Sequence, residues 1–197
     1  MKGEQKKTVH PFIRISAVDG KELAPGEKKL KKRVKANDLA CTLSHIKAIE
    51  YAKQQGYDCA IIFEDDIQLG SNFDTALTNL LSKAPEGYSM LFMHGTFGSY
   101  NKPKRISNDF WRVFEMYGAF AYLIKRDFYD IAIEELKKFC GILGTDYIYS
   151  RLMTRYNIYR ADKPIVFHRA GFSYREERVP NGLVSPEKMS LPREHTV

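Results

Sequence analysis

Hydrophobic and polar positions along the first half of the chain switch repeatedly between a strand-like and a helix-like pattern. Apolar residues recur at helical spacing in residues 37–55 and again in 72–84. Short apolar runs at 59–63 and 88–93 predict strands, and a loosely alternating stretch at 11–17 predicts one more. A chain that alternates strands with helices in this way is typical of an α/β domain.

The second half continues the same mixture without a linker. Residues 126–139 form the clearest helical pattern, and a further helix is predicted over about 145–156. Strands are predicted at 110–117, 119–124, 157–160 and 165–167. The charged stretch 171–197 has few apolar residues and predicts an irregular tail. We therefore predict one α/β domain over residues 1–170, followed by this tail.

The run Cys59–Phe63 is apolar throughout, and Glu64, Asp65 and Asp66 follow it directly. An unbroken apolar run predicts a strand buried on both faces, so we expect a mixed, mostly parallel central sheet flanked by helices. The three acids are either a solvated turn that caps the next helix or the site of a hard cation, Mg²⁺ or Mn²⁺. Open α/β sheets bind ligands beyond the carboxyl ends of their strands, and this position favours a cation site over a solvated turn. Because residues two apart in extended chain point the same way, Glu64 and Asp66 would face one ion.

The composition predicts an ordered protein of the cytoplasm. The 197 residues are 44% hydrophobic and 28% charged, and no apolar run approaches the ~20 residues of a membrane span. The stretch Met1–His10 is polar and basic, a pattern that does not predict a secretory signal. Cys41, Cys59 and Cys140 are far apart and form no CxxC pair, so they predict reduced thiols.

The formal net charge of +7 predicts a polyanionic partner, such as nucleic acid, an anionic membrane surface or a phosphorylated ligand. Much of this charge lies in Lys28–Lys35, and a charge run is by default a solvated loop. No recognised nucleic-acid motif accompanies the run, so we expect no nucleic-acid partner. A peripheral contact of Lys28–Lys35 with anionic lipid remains an expectation of the charge pattern.

Four sequence blocks occur in a specific order and spacing between residues 12 and 155. They are Ala17–Gly20, Asn37–His45, Ile61–Ile67 and Gly118–Ile124, the last of them followed by Asp146. Together they resemble glycosyltransferase family 25, which includes bacterial lipooligosaccharide galactosyltransferases and collagen-modifying galactosyltransferases. The resemblance implies a single GT-A domain, a nucleotide-sugar donor such as a UDP-sugar, and a divalent metal at a DxD-like motif. It also implies a glycan acceptor such as lipopolysaccharide or lipooligosaccharide, with galactose as the sugar that the family suggests.

The resemblance assigns the acidic residues to this metal. It implies that Glu64 and Asp66 bind the ion, with Asp66 the first choice as direct ligand, and that Asp65 accepts hydrogen bonds from the ribose of the donor. Members of this fold commonly add a late histidine to the metal shell, and His168 stands where that histidine is expected. An imidazole ligand would favour Mn²⁺ over Mg²⁺. The alternative for His168 is an ordinary histidine at the end of a strand, hydrogen-bonded to backbone.

The resemblance also marks an acceptor-side acid and three donor-side residues. Asp146 opens a helix, so it is either a first-turn carboxylate that stabilises the helix or, as the resemblance implies, the general base that takes a proton from the acceptor hydroxyl. Ser44 and His45 border the apolar stripe of their helix, and Asp19 lies in a turn. Each of these three residues either faces the donor, as the resemblance implies, or only packs.

One departure from the family pattern concerns the beginning of the fold. The family normally starts with a strand that cradles the nucleotide base, and this sequence shows no equivalent, which leads us to expect that the usual first strand is lacking. The alternative function is therefore a catalytically inactive, truncated GT-A-like binding module or subunit. The leading expectation is a metal-dependent hexosyltransferase.

Overall fold

The computed structural model describes residues 3–23 and 34–169, and its four α-helices and ten β-strands all lie in the second of these ranges. In chain order they are α1 (Ala36–Gln54), β1 (Cys59–Phe63), β2 (Ile67–Leu69), α2 (Phe73–Ser82), β3 (Met90–Phe92), β4 (Thr96–Phe97), β5 (Lys104–Arg105), β6 (Phe110–Arg112), β7 (Met116–Tyr117), β8 (Ala121–Lys125), α3 (Tyr129–Phe139), α4 (Thr145–Met153), β9 (Ile158–Ala161) and β10 (Val166–His168). The predicted tail at 171–197 and most of the basic run Lys28–Lys35 lie outside the described residues.

The helical predictions are confirmed, because all four helices lie where the apolar spacing predicts them. The beginning of α1 differs from the prediction in one detail. The residue types favour Asn37 or Asp38 as the cap of the helix, but Lys35 is the capping residue. The Asp38 carboxylate, already inside the first turn, accepts a hydrogen bond from the Lys35 N–H at 3.1 Å. A negative charge in the first turn also interacts favourably with the positive end of the helix dipole.

The prediction of a mostly parallel sheet is wrong. Six strands form a sheet in the order β1-β8-β3-β9-β6-β5, and β3 with β9 is its single parallel pair among the residues with described structure. The strand β1, expected in the middle, lies at one end of this order. An apolar run indicates only that both faces of a strand are covered. Whether neighbouring strands are parallel depends on how the chain connects them, which the run does not show. The α/β class itself is confirmed.

Helices cover both faces of this sheet, which explains its continuous apolar strands. On one face, α1, α3 and α4 pack on a cluster that includes the buried side chains of Phe92 and Tyr122. On the opposite face, α2 packs on a second cluster that includes Leu91 and Leu123. Neighbouring residues of a strand thus belong to different clusters, as the pleat requires.

Two short strands form a separate antiparallel pair, and this pairing was not predicted from the sequence. β2 runs antiparallel to β10, with Ile67 opposite His168. The buried Glu4 side chain holds this pair from outside: one carboxylate oxygen accepts the Leu69 N–H at 2.8 Å, and the other accepts a hydrogen bond from Arg169 at 3.0 Å. The pairing carries the end of β10 back to the acidic turn that follows β1.

The stretch 11–17, predicted as a strand, has no regular secondary structure. It is tied to α1 by side chains instead. The Ser44 hydroxyl accepts the Val18 N–H at 2.9 Å, and the Lys47 ammonium donates to the Ser16 carbonyl at 2.9 Å. Within the described ranges, 3–23 and 34–169, no helix is long and apolar enough to span a bilayer.

Candidate functional site

The candidate site lies where β1 and β3 end and β8 begins. The Glu64 N–H donates to the Phe120 carbonyl at 2.9 Å, and the Met93 N–H donates to the Ala121 carbonyl at 3.0 Å. These bonds extend the sheet by one residue beyond β1 and β3. The residues that follow both strands therefore share one end of the sheet, beside the face of α1 that carries His45.

Asp66 and His168 form an ion pair at this end. The His168 Nε2 atom lies 2.9 Å from Asp66 Oδ2, and this hydrogen bond raises the pKa of the imidazole although burial opposes the shift. Two further atoms of the pair, Asp66 Oδ1 and His168 Nδ1, are buried and lack a hydrogen-bond partner. Buried polar atoms are normally satisfied, so these two indicate a ligand-binding position.

Glu64 does not join this pair. The chain turns at Asp65 and Asp66 before β2 begins, so the alternation of an extended strand, on which the shared direction of Glu64 and Asp66 was predicted, does not apply. Glu64 faces α1 instead, where its Oε1 atom lies 3.3 Å from His45 Nε2. The negative charge of Glu64 still reaches His168, whose pKa it helps to raise.

His45 is buried and bonded through both ring nitrogens. Its Nδ1 atom lies 2.9 Å from the hydroxyl of Tyr122, which lies 2.7 Å from the hydroxyl of Tyr149. Burial lowers the pKa of His45, but hydrogen bonds to the Cys41 sulfur and the Glu64 carboxylate outweigh it and raise the pKa to about 10. The ring is therefore held rigidly in the protein, with its Nε2 edge towards Glu64.

Cys41 lies one helical turn before His45 in α1, and its sulfur adjoins the same group of polar side chains. The Thr145 hydroxyl donates to the Cys41 sulfur at 3.5 Å and lies 2.9 Å from the Thr42 hydroxyl. The ligand atoms of Cys41, His45 and Glu64 all lie within 4.8 Å of one another. In the two described stretches, this is the one group of three or more histidine, cysteine or acidic residues with that property. Cys41, Cys59 and Cys140 are all free thiols.

Asp146 lies in the first turn of α4, and its side chain is buried. One carboxylate oxygen accepts the Ala119 N–H at 3.0 Å, which fastens the helix to the segment before β8. The next residue, Tyr147, is 52% exposed, and its ring meets Tyr117 edge-on with 5.5 Å between ring centroids. The two neighbours therefore differ: the Asp146 carboxylate is buried against the segment before β8, whereas the Tyr147 ring faces solvent.

The predicted donor-side residues have different surroundings. Besides accepting from Val18, the Ser44 hydroxyl donates to the Ala40 carbonyl at 2.8 Å, so it fixes the preceding segment on α1. An Asp19 carboxylate oxygen accepts the Lys21 N–H at 2.9 Å within a turn. Asp65 is exposed at the tip of the acidic turn. Of the predicted donor-side residues, Asp65 is thus the one whose carboxylate projects into solvent next to Asp66.

One residue of this end of the sheet was missed from the sequence. His94 follows β3, and its ring meets the rings of Phe120 and Phe167 edge-on, with centroid distances of 5.4 and 6.1 Å. Burial, and next the positive charge of Arg160, lower its pKa. Its Nδ1 atom is also buried and unpartnered, and the charge of His168 is close enough to lower the His94 pKa further. The signal was present, since His94 directly follows an apolar run and opens a polar loop.

The Asp66–His168 pair fits a hard divalent cation of the kind that the resemblance implies. Neighbouring ligand atoms around an octahedral ion bonded at ~2.1 Å lie about 3 Å apart. Asp66 Oδ2 and His168 Nε2 have that spacing, and the unpartnered Asp66 Oδ1 would gain an interaction. A carboxylate with an imidazole suits Mn²⁺.

Comparisons with known proteins identify a family and show distant similarity to solved structures. The sequence model of Glycosyltransferase family 25 (LPS biosynthesis protein) matches residues 1–117, more than half of the chain. No curated protein matches the chain. A crystal structure described as mannose-1-phosphate geranyltransferase from Thermus thermophilus is similar over 61% of this chain, with a TM-score of 0.38 and 10% identity. The chain spans 49% of that structure's length.

Proposed function

Because the chain belongs to glycosyltransferase family 25, we propose that it transfers a sugar from a nucleotide-sugar donor to a glycan acceptor, and that a divalent cation assists the transfer. The proposed donor is a UDP-sugar, with galactose the first candidate, and the proposed acceptor is a lipopolysaccharide or lipooligosaccharide. The observation that supports the metal is the Asp66–His168 pair, with its buried and unpartnered Asp66 Oδ1 atom.

Asp66 and His168 would hold the cation, with Mn²⁺ preferred to Mg²⁺. When bound, the cation neutralises the negative charge that develops on the leaving diphosphate. Asp66 has one oxygen towards His168 and a second that is free of hydrogen bonds, so it is the more direct ligand. Glu64 contributes negative charge nearby while its carboxylate bonds to His45.

Asp65 and Asp146 would serve the donor and the acceptor. Asp65 is exposed beside Asp66, so its carboxylate can accept hydrogen bonds from the ribose hydroxyls of a nucleotide. Asp146 would accept the proton of the attacking acceptor hydroxyl, and the exposed ring of Tyr147 would support the acceptor sugar. The bond from the Ala119 N–H orients the Asp146 carboxylate for this role.

The other donor-side residues would act indirectly. His45 bonds through both ring nitrogens and would orient Glu64, whereas Ser44 and Asp19 would hold the backbone near the site. A contact between Lys28–Lys35 and anionic lipid stays a prediction, because most of that run lies outside the described residues.

The test is a turnover assay with a panel of nucleotide sugars. Purified protein with Mn²⁺ should release nucleoside diphosphate from at least one donor, and chelation should stop the release. Asp66→Asn should lower turnover at least about 100-fold, since stabilisation of the leaving group is worth several kcal/mol. Asp58→Asn is a matched control, because Asp58 is an exposed acid just before β1 that pairs with Arg126.

Two outcomes would contradict parts of this proposal. Turnover of no donor, with nucleotide binding retained, would support the inactive binding module instead. Turnover that is equal in Asp66→Asn and the wild type would remove Asp66 from the metal site and leave the transferase assignment standing.

A further inference from the structure

We propose that Cys41, His45 and Glu64 form a second metal site, for a thiophilic divalent cation of the zinc type, distinct from the Asp66–His168 pair. The three side chains present one sulfur, one imidazole nitrogen and one carboxylate oxygen, all within 4.8 Å of one another. This proposal does not depend on glycosyl transfer, because it concerns only the ligands and their surroundings.

The backbone brings the three ligands together from two rigid elements. Cys41 and His45 are four residues apart in α1, so they lie on the same face of the helix, one turn apart. Glu64 follows directly on β1 and is fixed by the bond from its N–H to the Phe120 carbonyl. A site carried by a helix and a strand end loses little conformational freedom when an ion binds.

The distances suit a tetrahedral ion. Zinc binds nitrogen and oxygen at about 2.0–2.1 Å and sulfur at about 2.3 Å, which places neighbouring ligand atoms roughly 3.3–3.6 Å apart. His45 Nε2 and Glu64 Oε1 already lie 3.3 Å apart. The Cys41 sulfur needs to approach by at most about 1.5 Å, which a side-chain rotation can supply.

Hydrogen bonds around the ligands have the pattern that metal sites require. Histidine ligands usually donate their second N–H to a fixed acceptor, which leaves the other nitrogen free for the metal. Tyr122 can provide that acceptor at His45 Nδ1, and its hydroxyl is itself held by Tyr149. Zinc would then displace the Nε2 proton, which in the metal-free protein faces Glu64. The Thr145 hydroxyl donates to the Cys41 sulfur, an arrangement that stabilises a thiolate.

The ligand set selects the ion and leaves room for a further ligand. A thiolate with an imidazole favours zinc over Mg²⁺ or Mn²⁺, which prefer oxygen. Three protein ligands leave the fourth tetrahedral position open for water or an anionic oxygen. An ion would reach this site from the side of Glu64, because the Glu64 side chain is 35% exposed and the His45 side chain is only 4% exposed.

Cobalt substitution tests the site by a direct readout. Metal-free full-length protein titrated with Co²⁺ should show a thiolate-to-cobalt charge-transfer band and tetrahedral d–d bands that saturate at one equivalent, and Zn²⁺ but not Mn²⁺ should abolish them. Cys41→Ser should lose the charge-transfer band and weaken zinc binding by more than the roughly 10- to 100-fold that loss of an outer partner costs. Cys140→Ser, at another half-buried thiol, should behave as wild type.

A second measurement needs no substitution and so does not depend on the variant folding. Zinc should protect Cys41 of the wild-type protein from iodoacetamide, as measured by mass spectrometry, while the exposed Cys59 reacts at an unchanged rate. Absence of one-equivalent binding, a charge-transfer band retained in Cys41→Ser, or alkylation of Cys41 at the same rate with and without zinc would each overturn the proposal.

Discussion

Two histidine–carboxylate pairs flank the acidic turn after β1, and they differ in how completely they are satisfied. In the inner pair, His45 and Glu64, the imidazole is buried and both of its nitrogens have partners. In the outer pair, Asp66 and His168, one carboxylate oxygen and one ring nitrogen are buried without partners. The imidazole of the inner pair belongs to the packed core, whereas the outer pair lies at the ends of two short strands.

This difference separates a pair whose imidazole is fully hydrogen-bonded within the protein from a pair that still has two polar atoms without partners. The same two side-chain types occur in both pairs, so residue type alone does not distinguish them. Burying a polar atom without a partner costs free energy, so the two unpartnered atoms of the outer pair support the proposal that this pair holds the hard cation. The buried and fully bonded His45 is expected to contribute more to stability.

The largest expected difference is in stability. His45→Ala should lower the free energy of unfolding by about 2–4 kcal/mol, because it leaves a cavity and removes a partner from the Tyr122 hydroxyl. The matched substitution His168→Ala should cost less than about 1 kcal/mol, since this ion pair is partly exposed to solvent. Urea unfolding in the presence of chelator measures both. Equal costs would show that the two pairs do not differ in this respect.

The response to manganese should have the opposite pattern. Mn²⁺ at 100 times its dissociation constant should stabilise the wild-type protein by about 2.7 kcal/mol, seen as a rise in melting temperature. His168→Ala should lose this rise, and His45→Gln should keep it. A rise that persists in His168→Ala but disappears in His45→Gln would place the manganese at the inner pair.

The inner pair should also make metal-free stability depend on pH. The pKa of His45 in the folded protein, about 10, is above its value of about 6.5 in the unfolded chain, so the protonated ring stabilises the fold fully below pH 6.5. This contribution should fall as pH rises from 6.5 to about 10, by up to about 1.4 kcal/mol per pH unit. Urea unfolding of wild type and His45→Gln across this range isolates it. Parallel curves for the two proteins would contradict the raised pKa.

The smallest effect is expected at Asp65, which belongs to the same turn but to neither pair. Asp65→Asn should change stability by less than about 0.5 kcal/mol, because the side chain is exposed. If its carboxylate binds the ribose, the KM for the donor should rise about fivefold with kcat unchanged, as expected for the loss of one hydrogen bond. An unchanged KM would remove Asp65 from the donor site.

The sequence alone predicts the helices well and the sheet poorly, for a physical reason. The apolar stripe of α1 or α3 follows from local spacing, so it is visible in the residues themselves. The order and direction of strands depend on contacts between distant segments, and the apolar run at β1 reports only coverage by helices. β2, with three residues, is too short to give a periodic signal, so the strand predicted at 165–167 had no visible partner.

The candidate site was predictable from sequence only where its residues are close together in the chain. Asp66 stands out as part of an acidic triplet behind a strand, and the four-residue spacing of Cys41 and His45 is also visible in the sequence. The partner of each is a long-range contact that only the fold reveals. Glu64 meets His45 because the turn at 65–66 rotates the chain, which the extended-strand argument did not anticipate.

The two hydrogen bonds that Glu4 accepts, from Leu69 and Arg169, have a consequence for the order in which parts of the chain fold. The Glu4 carboxylate joins Leu69 to Arg169, and the contact between Glu4 and Arg169 spans 165 residues. Contacts that close long loops form late, because the chain must lose much of its freedom before they contribute. His168 therefore reaches Asp66 only after nearly the whole described chain has been synthesised and has begun to pack. His45 and Glu64 are 19 residues apart in sequence, so these two side chains can meet on a growing chain before Asp66 and His168 can.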